Sequence, residues 1–139
     1  MQYGLRMGYL GLAWLLVVSI TIQVFLAGLN VFITPLWWGV HMQFGHWIGY
    51  LLIGLLLLVF AGTLPRALRW LTLLTFVLYV LQYNFRNLAG LVGVPAVAAL
   101  HPVNALVIFW CAVTMGRQAW QVIRQPAPDA LPNSAPVQA

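Results

Sequence analysis

Apolar residues run through this chain almost without interruption, and the polar positions collect at the ends of four long segments. The first segment covers about 7–31, enough to cross a bilayer, which takes about 20 residues. A break follows at Thr34, Pro35 and Gly39, with Trp37 and Trp38 between them, a composition suited to a membrane interface. The second segment covers about 41–61 and ends at the turn Gly62-Thr63-Leu64-Pro65. The third covers about 66–88 and leads into a loop containing Gly and Pro, with a short turn at about 96–100. The fourth covers about 101–124, with Pro102 in a first turn, where its missing N–H is tolerated. The pattern predicts an all-α polytopic membrane protein, an antiparallel four-transmembrane-helix bundle occupying 1–124. The Pro-containing tail, 125–139, reads as disordered and cytoplasmic. Short connections make successive helices neighbours, so helices two and four fall diagonally across the bundle and start on the same side.

Composition sharpens this picture. Only 5% of the 139 residues are charged, against about 25% in soluble domains, and none lies between Arg6 and Arg66. Four spans leave no room for a soluble domain. All 6 basic residues are arginines. On an up-down-up-down path Arg6, Arg66, Arg69, Arg117 and Arg124 share one side, and Arg86 lies near the other. This bias places both termini in the cytoplasm of a multi-pass protein of a prokaryotic cytoplasmic membrane. The net charge of +5 is scattered between apolar runs, so it points to topology anchoring and not to nucleic acid. The first segment is too long for a signal-peptide core and reads as a retained helix. Cys111, the single cysteine, can form no internal disulfide, belongs to no haem-attachment motif, and reads as a small buried hydrophobe.

The polar cluster at the arginine-poor end is the one lead on chemistry, because lipid offers no hydrogen bonds to unpaired groups. His41 and His46 open helix two, and His101 opens helix four. Gln23 and Asn30 share a face of helix one, Gln82, Asn84, Arg86 and Asn87 crowd the outer end of helix three, and Asn104 shares the face of His101. Counted from Arg66 and Arg117, His46 and His101 lie about 30 Å and about 24 Å along their helices, and His41 lies about 7 Å beyond His46, where water wets it. Three readings fit: interfacial histidines bonded to headgroups, water or helix-end carbonyls; haem b held between His101 and a helix-two histidine, with Gln or Asn partners orienting the rings; or a metal site using all three. His41 and His46 diverge by about 140° on a helix and no acidic ligand is near, so the metal reading ranks last. Depth alone favours His46 as the partner of His101. Thr72, Thr75 and Thr114 are expected to bond to their own helices. Gly28, Gly45, Gly49 and Gly90 admit close approach of a helix or a flat ligand. Hydrolytic motifs, paired carboxylates and intramembrane acids are missing from the sequence, which argues against hydrolysis and ion-coupled transport.

The run Gln23-Val24-Phe25-Leu26-Ala27-Gly28-Leu29, the segment His41-Met42-Gln43-Phe44-Gly45 and, most specifically, Leu100-His101-Pro102-Val103-Asn104-Ala105-Leu106 resemble a family of small four-helix membrane proteins of unknown function from bacteria and archaea. The resemblance spans about 7–118. It implies a polytopic bundle and carries no established reaction. It puts His41, His101 and Asn104 in the matching segments, so His41 stands beside His46 as a candidate partner for His101.

The sequence thus supports a small integral membrane protein, haem b-binding and redox-associated, with a site of His46, His101, His41, Asn104, Gln23 and Gln82 near the outer face and no catalytic residues. The alternative is a non-enzymatic accessory subunit of a respiratory complex, or a protein whose polar cluster binds quinone or lipid, with homo-oligomers as a further option.

Overall fold

Backbone groups surrounded by lipid find hydrogen-bond partners only within their own helix, so each long apolar segment becomes one. The computed structural model describes residues 1–124, which fold into α1 (Gln2–Phe32), α2 (Trp37–Ala61), α3 (Arg66–Val92) and α4 (Leu100–Arg124). A short 3-10 helix, Pro95–Ala99, leads into α4. The tail at 125–139 lies outside the described residues.

Three boundaries differ from expectation. α1 begins at Gln2, five residues before the expected start. α2 begins at Trp37, because Gly39 is accommodated inside the first turns and only the Thr34–Pro35 stretch breaks the chain. Glycine within a helix costs about 1 kcal/mol, too little to stop one that tertiary packing supports. α3 runs on to Val92 and ends where Gly93 takes the left-handed conformation (φ 68°), which lets the amides of Gly93 and Val94 reach back to Gly90 and Ala89.

Three stretches, Gln2–Phe32, Trp37–Ala61 and Pro95–Arg124, are long and apolar enough to cross a membrane. α3 packs beside them at similar length, with Arg66 and Arg69 at one end and Gln82, Asn84, Arg86 and Asn87 at the other. The outer surface is as apolar as the interior. Phe25, Leu57, Leu106 and Trp110 are each more than 60% exposed, large side chains that in water would mark an interaction surface and here mark the lipid face.

α1 and α3 each pack on both α2 and α4, so the pairs α1/α3 and α2/α4 lie on the diagonals, as the sequence suggests. The core runs along the bundle axis through Leu16, Leu52, Leu55, Leu68 and Met115. Its threonines Thr72 and Thr75 are hydrogen-bonded. Thr72 gives its hydroxyl proton to Leu68 O (2.8 Å), so Tyr9 must donate to Thr72 Oγ1 (2.6 Å), which joins α1 to α3 across the bundle. Thr75 and Thr114 also bond to the carbonyls four residues back. Cys111 is buried among these residues.

The antiparallel path gathers one set of ends around Arg6, whose guanidinium reaches Gly62 O and Thr63, and Arg69, which donates to Leu64 O (2.9 Å). Gln23, His41, Gln82 and His101 gather at the opposite end.

Candidate functional site

At that opposite end the glutamines and histidines form two interlocked pairs. Gln23, on α1, donates its amide to the backbone carbonyl of His41 on α2 (2.8 Å), and His41 Nδ1 lies 3.2 Å from the backbone carbonyl of Gln23. Gln82, on α3, donates to the carbonyl of His101 on α4 (2.9 Å), and His101 Nδ1 lies 3.0 Å from the carbonyl of Gln82. A carbonyl cannot donate, so each imidazole carries its proton on Nδ1 and leaves the Nε2 lone pair free. The partners are 18 and 19 residues apart along the chain, so each pair ties the two helices of one hairpin together beside their connecting loop. Interhelical hydrogen bonds in membranes contribute on average about 0.6 kcal/mol each, and their greater effect here is to fix ring orientation.

The two histidines meet across the diagonal, with ring centroids 6.4 Å apart and planes inclined at 48°. His41 is buried and His101 half-buried. Trp38 stacks on His41 at 5.3 Å and 16°. Asn104, buried on α4, donates to both Leu78 O (2.9 Å) and Gln82 Oε1 (2.6 Å), so the second pair is satisfied on both sides of its amide. Gln23 Oε1 is buried with no hydrogen bond among the described residues.

Both histidines line a cavity of about 690 Å³, within the roughly 300–1,000 Å³ usual for small-molecule and cofactor sites. Ile20, Ile48 and Ile108 form its inner part, Gln23, Gln82 and Tyr79 stand near the histidines, and Arg86 and Asn87 lie at the outer end. Among the described residues no group of three or more His, Cys, Asp or Glu side chains could hold a metal ion. Among the described residues, the histidines that line the cavity are His41 and His101.

The residues expected from sequence fall into two groups. His41, His101, Gln23 and Gln82 line one cavity, and Asn104 braces it. His46 stands apart, exposed and beside Tyr83 (5.5 Å between ring centroids), outside the cavity lining. The wetted His41 of the depth argument is thus the buried one. The physical reason is rotation: with α2 starting at Trp37, His41 falls on the inward face one turn below the end, and the 140° divergence then turns His46 outward. Gly45 and Gly49 let α2 approach the Tyr83 and Tyr79 hydroxyls, and Tyr79 donates to Gly45 O (3.0 Å); Gly28 and Gly90 face open space. The stacking of Trp38 on His41 and the cavity positions of Tyr79 and Arg86 were missed from sequence. The near-equal Gln-to-His spacings in the two hairpins were the signal available for the pairing.

Residues 23–90 match the model of a family of unknown function, DUF6220. The match covers just under half of the chain and includes Gln23, His41, His46 and Gln82, but ends before His101 and Asn104. The chain is therefore similar to that family over the C-terminal part of α1, all of α2 and all but the end of α3. No curated protein and no solved structure matches the chain. The class defined by fold and site is a small polytopic helical membrane protein with a histidine-lined cavity near one end of its bundle.

Proposed function

We propose that the cavity binds haem b, with His41 and His101 as axial ligands, and that the protein takes part in single-electron transfer near one membrane face. The observation that carries this reading is the His41–His101 pair: two imidazoles 6.4 Å apart on diagonal helices, each with Nδ1–H committed to a carbonyl. Metal-bound histidines characteristically donate their other ring N–H in this way, which fixes the tautomer and raises ligand basicity. Two metal–imidazole bonds of about 2 Å each, plus the ring halves on either side, give about 6 Å between ring centres. Iron in a porphyrin needs only two protein ligands, because the macrocycle supplies the other four. That requirement suits a cavity lined by two imidazoles on diagonal helices.

The test is a hemin titration of the purified protein in detergent, followed by the Soret band. Saturable binding near one equivalent, lost in His41→Ala and in His101→Ala, is expected. A protein that yields no Soret band after reconstitution would sink the proposal.

A second reading rests on Gln23 Oε1, a buried acceptor at the cavity wall with no partner among the described residues. A quinol hydroxyl would satisfy it by donating its hydrogen to the amide oxygen. Colourless protein that retains a quinone through purification would favour this reading over haem.

We also propose that the arginine-rich end faces the cytoplasm, which puts both ends of the chain there. A reporter fused after Ala139 should behave as cytoplasmic, and a periplasmic signal would overturn the orientation.

A further inference from the structure

We infer that the cavity selects a ligand with an anionic edge and takes it in one orientation, with Arg86 and Asn87 holding carboxylates at the outer mouth; for haem these are the two propionates. The inference rests on the haem reading above and adds which way the macrocycle faces and which residues discriminate it from neutral analogues.

The polarity of the cavity changes along the bundle axis. His101 and Ile108 both line it, and seven residues of helix separate them by about 10 Å. Ile48 lies the same distance inward from His41, and Ile20 about 4.5 Å inward from Gln23. In the outward direction Arg86 lies about 6 Å beyond Gln82 on α3, with Asn87 next to it. The deep part thus suits a hydrocarbon edge, and the mouth offers a guanidinium and an amide.

Arg86 is the arginine that stands apart from the others; like Arg66 and Arg117 it has no hydrogen-bond partner among the described residues, but it alone lines this cavity. The other arginines gather at the opposite end of the bundle, where Arg6 and Arg69 bond to backbone carbonyls and Arg124 lies 4.3 Å over the Trp120 ring. Arg86 stands against the charge bias, is exposed at the cavity mouth, and makes no hydrogen bond or ion pair among the described residues, which contain no Asp or Glu. A guanidinium presents a planar fork that matches a carboxylate bidentately. A phosphate headgroup in the adjacent leaflet could also engage it, and that engagement would not depend on what fills the cavity.

The test compares two probes on one protein: iron protoporphyrin IX and its dimethyl ester, which keeps the iron and macrocycle but lacks the negative charges. The wild-type protein in detergent should bind the diacid at least about ten-fold tighter than the diester. Arg86→Gln should remove that preference by weakening diacid binding and leaving diester binding unchanged, while Arg86→Lys should retain part of it. Equal weakening of both probes in Arg86→Gln would assign Arg86 a structural or headgroup role and overturn the inference while the haem reading stands. Equal wild-type affinity for the two probes would do the same. Failure of the wild type to bind either would remove both.

Discussion

In the hairpin of α1 and α2, Gln23 and His41 exchange two hydrogen bonds; in the hairpin of α3 and α4, Gln82 and His101 exchange the same two. The surroundings differ. Three residues after His101 stands Asn104, whose amide closes on Gln82 Oε1. Three residues after His41 stands Phe44, which packs on the core and leaves Gln23 Oε1 unpaired. On the other side, His41 carries a stacked Trp38. One half is braced by hydrogen bonds, the other by an aromatic ring and with an acceptor in reserve. The difference teaches that ring orientation, which both halves achieve, is separable from full polar satisfaction, which only the second achieves. A ligand entering between them meets a rigid wall on the α3–α4 side and an unfilled acceptor on the α1–α2 side.

The largest effect should come from removing either imidazole. His41→Ala and His101→Ala should each abolish six-coordinate haem binding, read as loss of the low-spin absorption spectrum, because iron cannot keep two axial ligands with one ring left. A variant of either that retained the wild-type spectrum would break the pairing of the two halves.

The next effect distinguishes the halves. Asn104→Ala and Gln82→Leu should lower thermal stability by about 1–2 kcal/mol each, since each breaks two interhelical bonds, and Gln82→Leu leaves the Asn104 amide short of a partner. Gln23→Leu should cost about 0.5 kcal/mol, because it breaks one bond and removes an acceptor that had no partner. Equal losses in all three, followed by thermal melts in one detergent, would erase the claimed asymmetry.

Gly45→Ala tests the α2–α3 contact. An added Cβ there would press on the Tyr83 hydroxyl, so a drop in melting temperature of a few degrees is expected, about 1 kcal/mol. Gly28→Ala, in open space, should leave the melt unchanged or raise it slightly. The smallest effect belongs to His46→Ala: exposed beside Tyr83 and outside the cavity, it should leave spectrum and stability as they are. A lost axial ligand in His46→Ala would restore the assignment that depth alone suggested.

Much of this was readable from the chain, and the unreadable part has one cause. Helix number, the antiparallel path, the diagonal placing of α2 and α4 and the gathering of polar groups at the arginine-poor end follow from apolar runs, breakers and charge. Helix rotation does not, because lipid-facing residues such as Leu57 and Leu106 are as apolar as core residues such as Leu52 and Ile108. The amphipathic signal that orients a helix in a soluble protein is therefore weak here. Depth could rank His41, His46 and His101 along the membrane normal but could not say which faces inward. Polar positions carry the rotation instead. Gln23, Gln82 and Asn104 sit on the inward faces of their helices, and the similar Gln-to-His spacing in both hairpins links His41 and not His46 to its glutamine. The mouth residue Arg86 was read as an exception to the charge bias and as one of the polar groups at the end of helix three, but not as a cavity residue, because its nearness to the cavity depends on how α3 is rotated.

The central claim is that His41 and His101 together hold one iron. The most direct measurement is the electron paramagnetic resonance spectrum of the ferric, hemin-reconstituted protein. A low-spin signal of two axial imidazoles is expected, replaced by a high-spin signal or lost with the haem in His41→Ala and in His101→Ala, and unchanged in His46→Ala. A high-spin wild-type spectrum, or a low-spin signal that survives either of the first two substitutions, would contradict it.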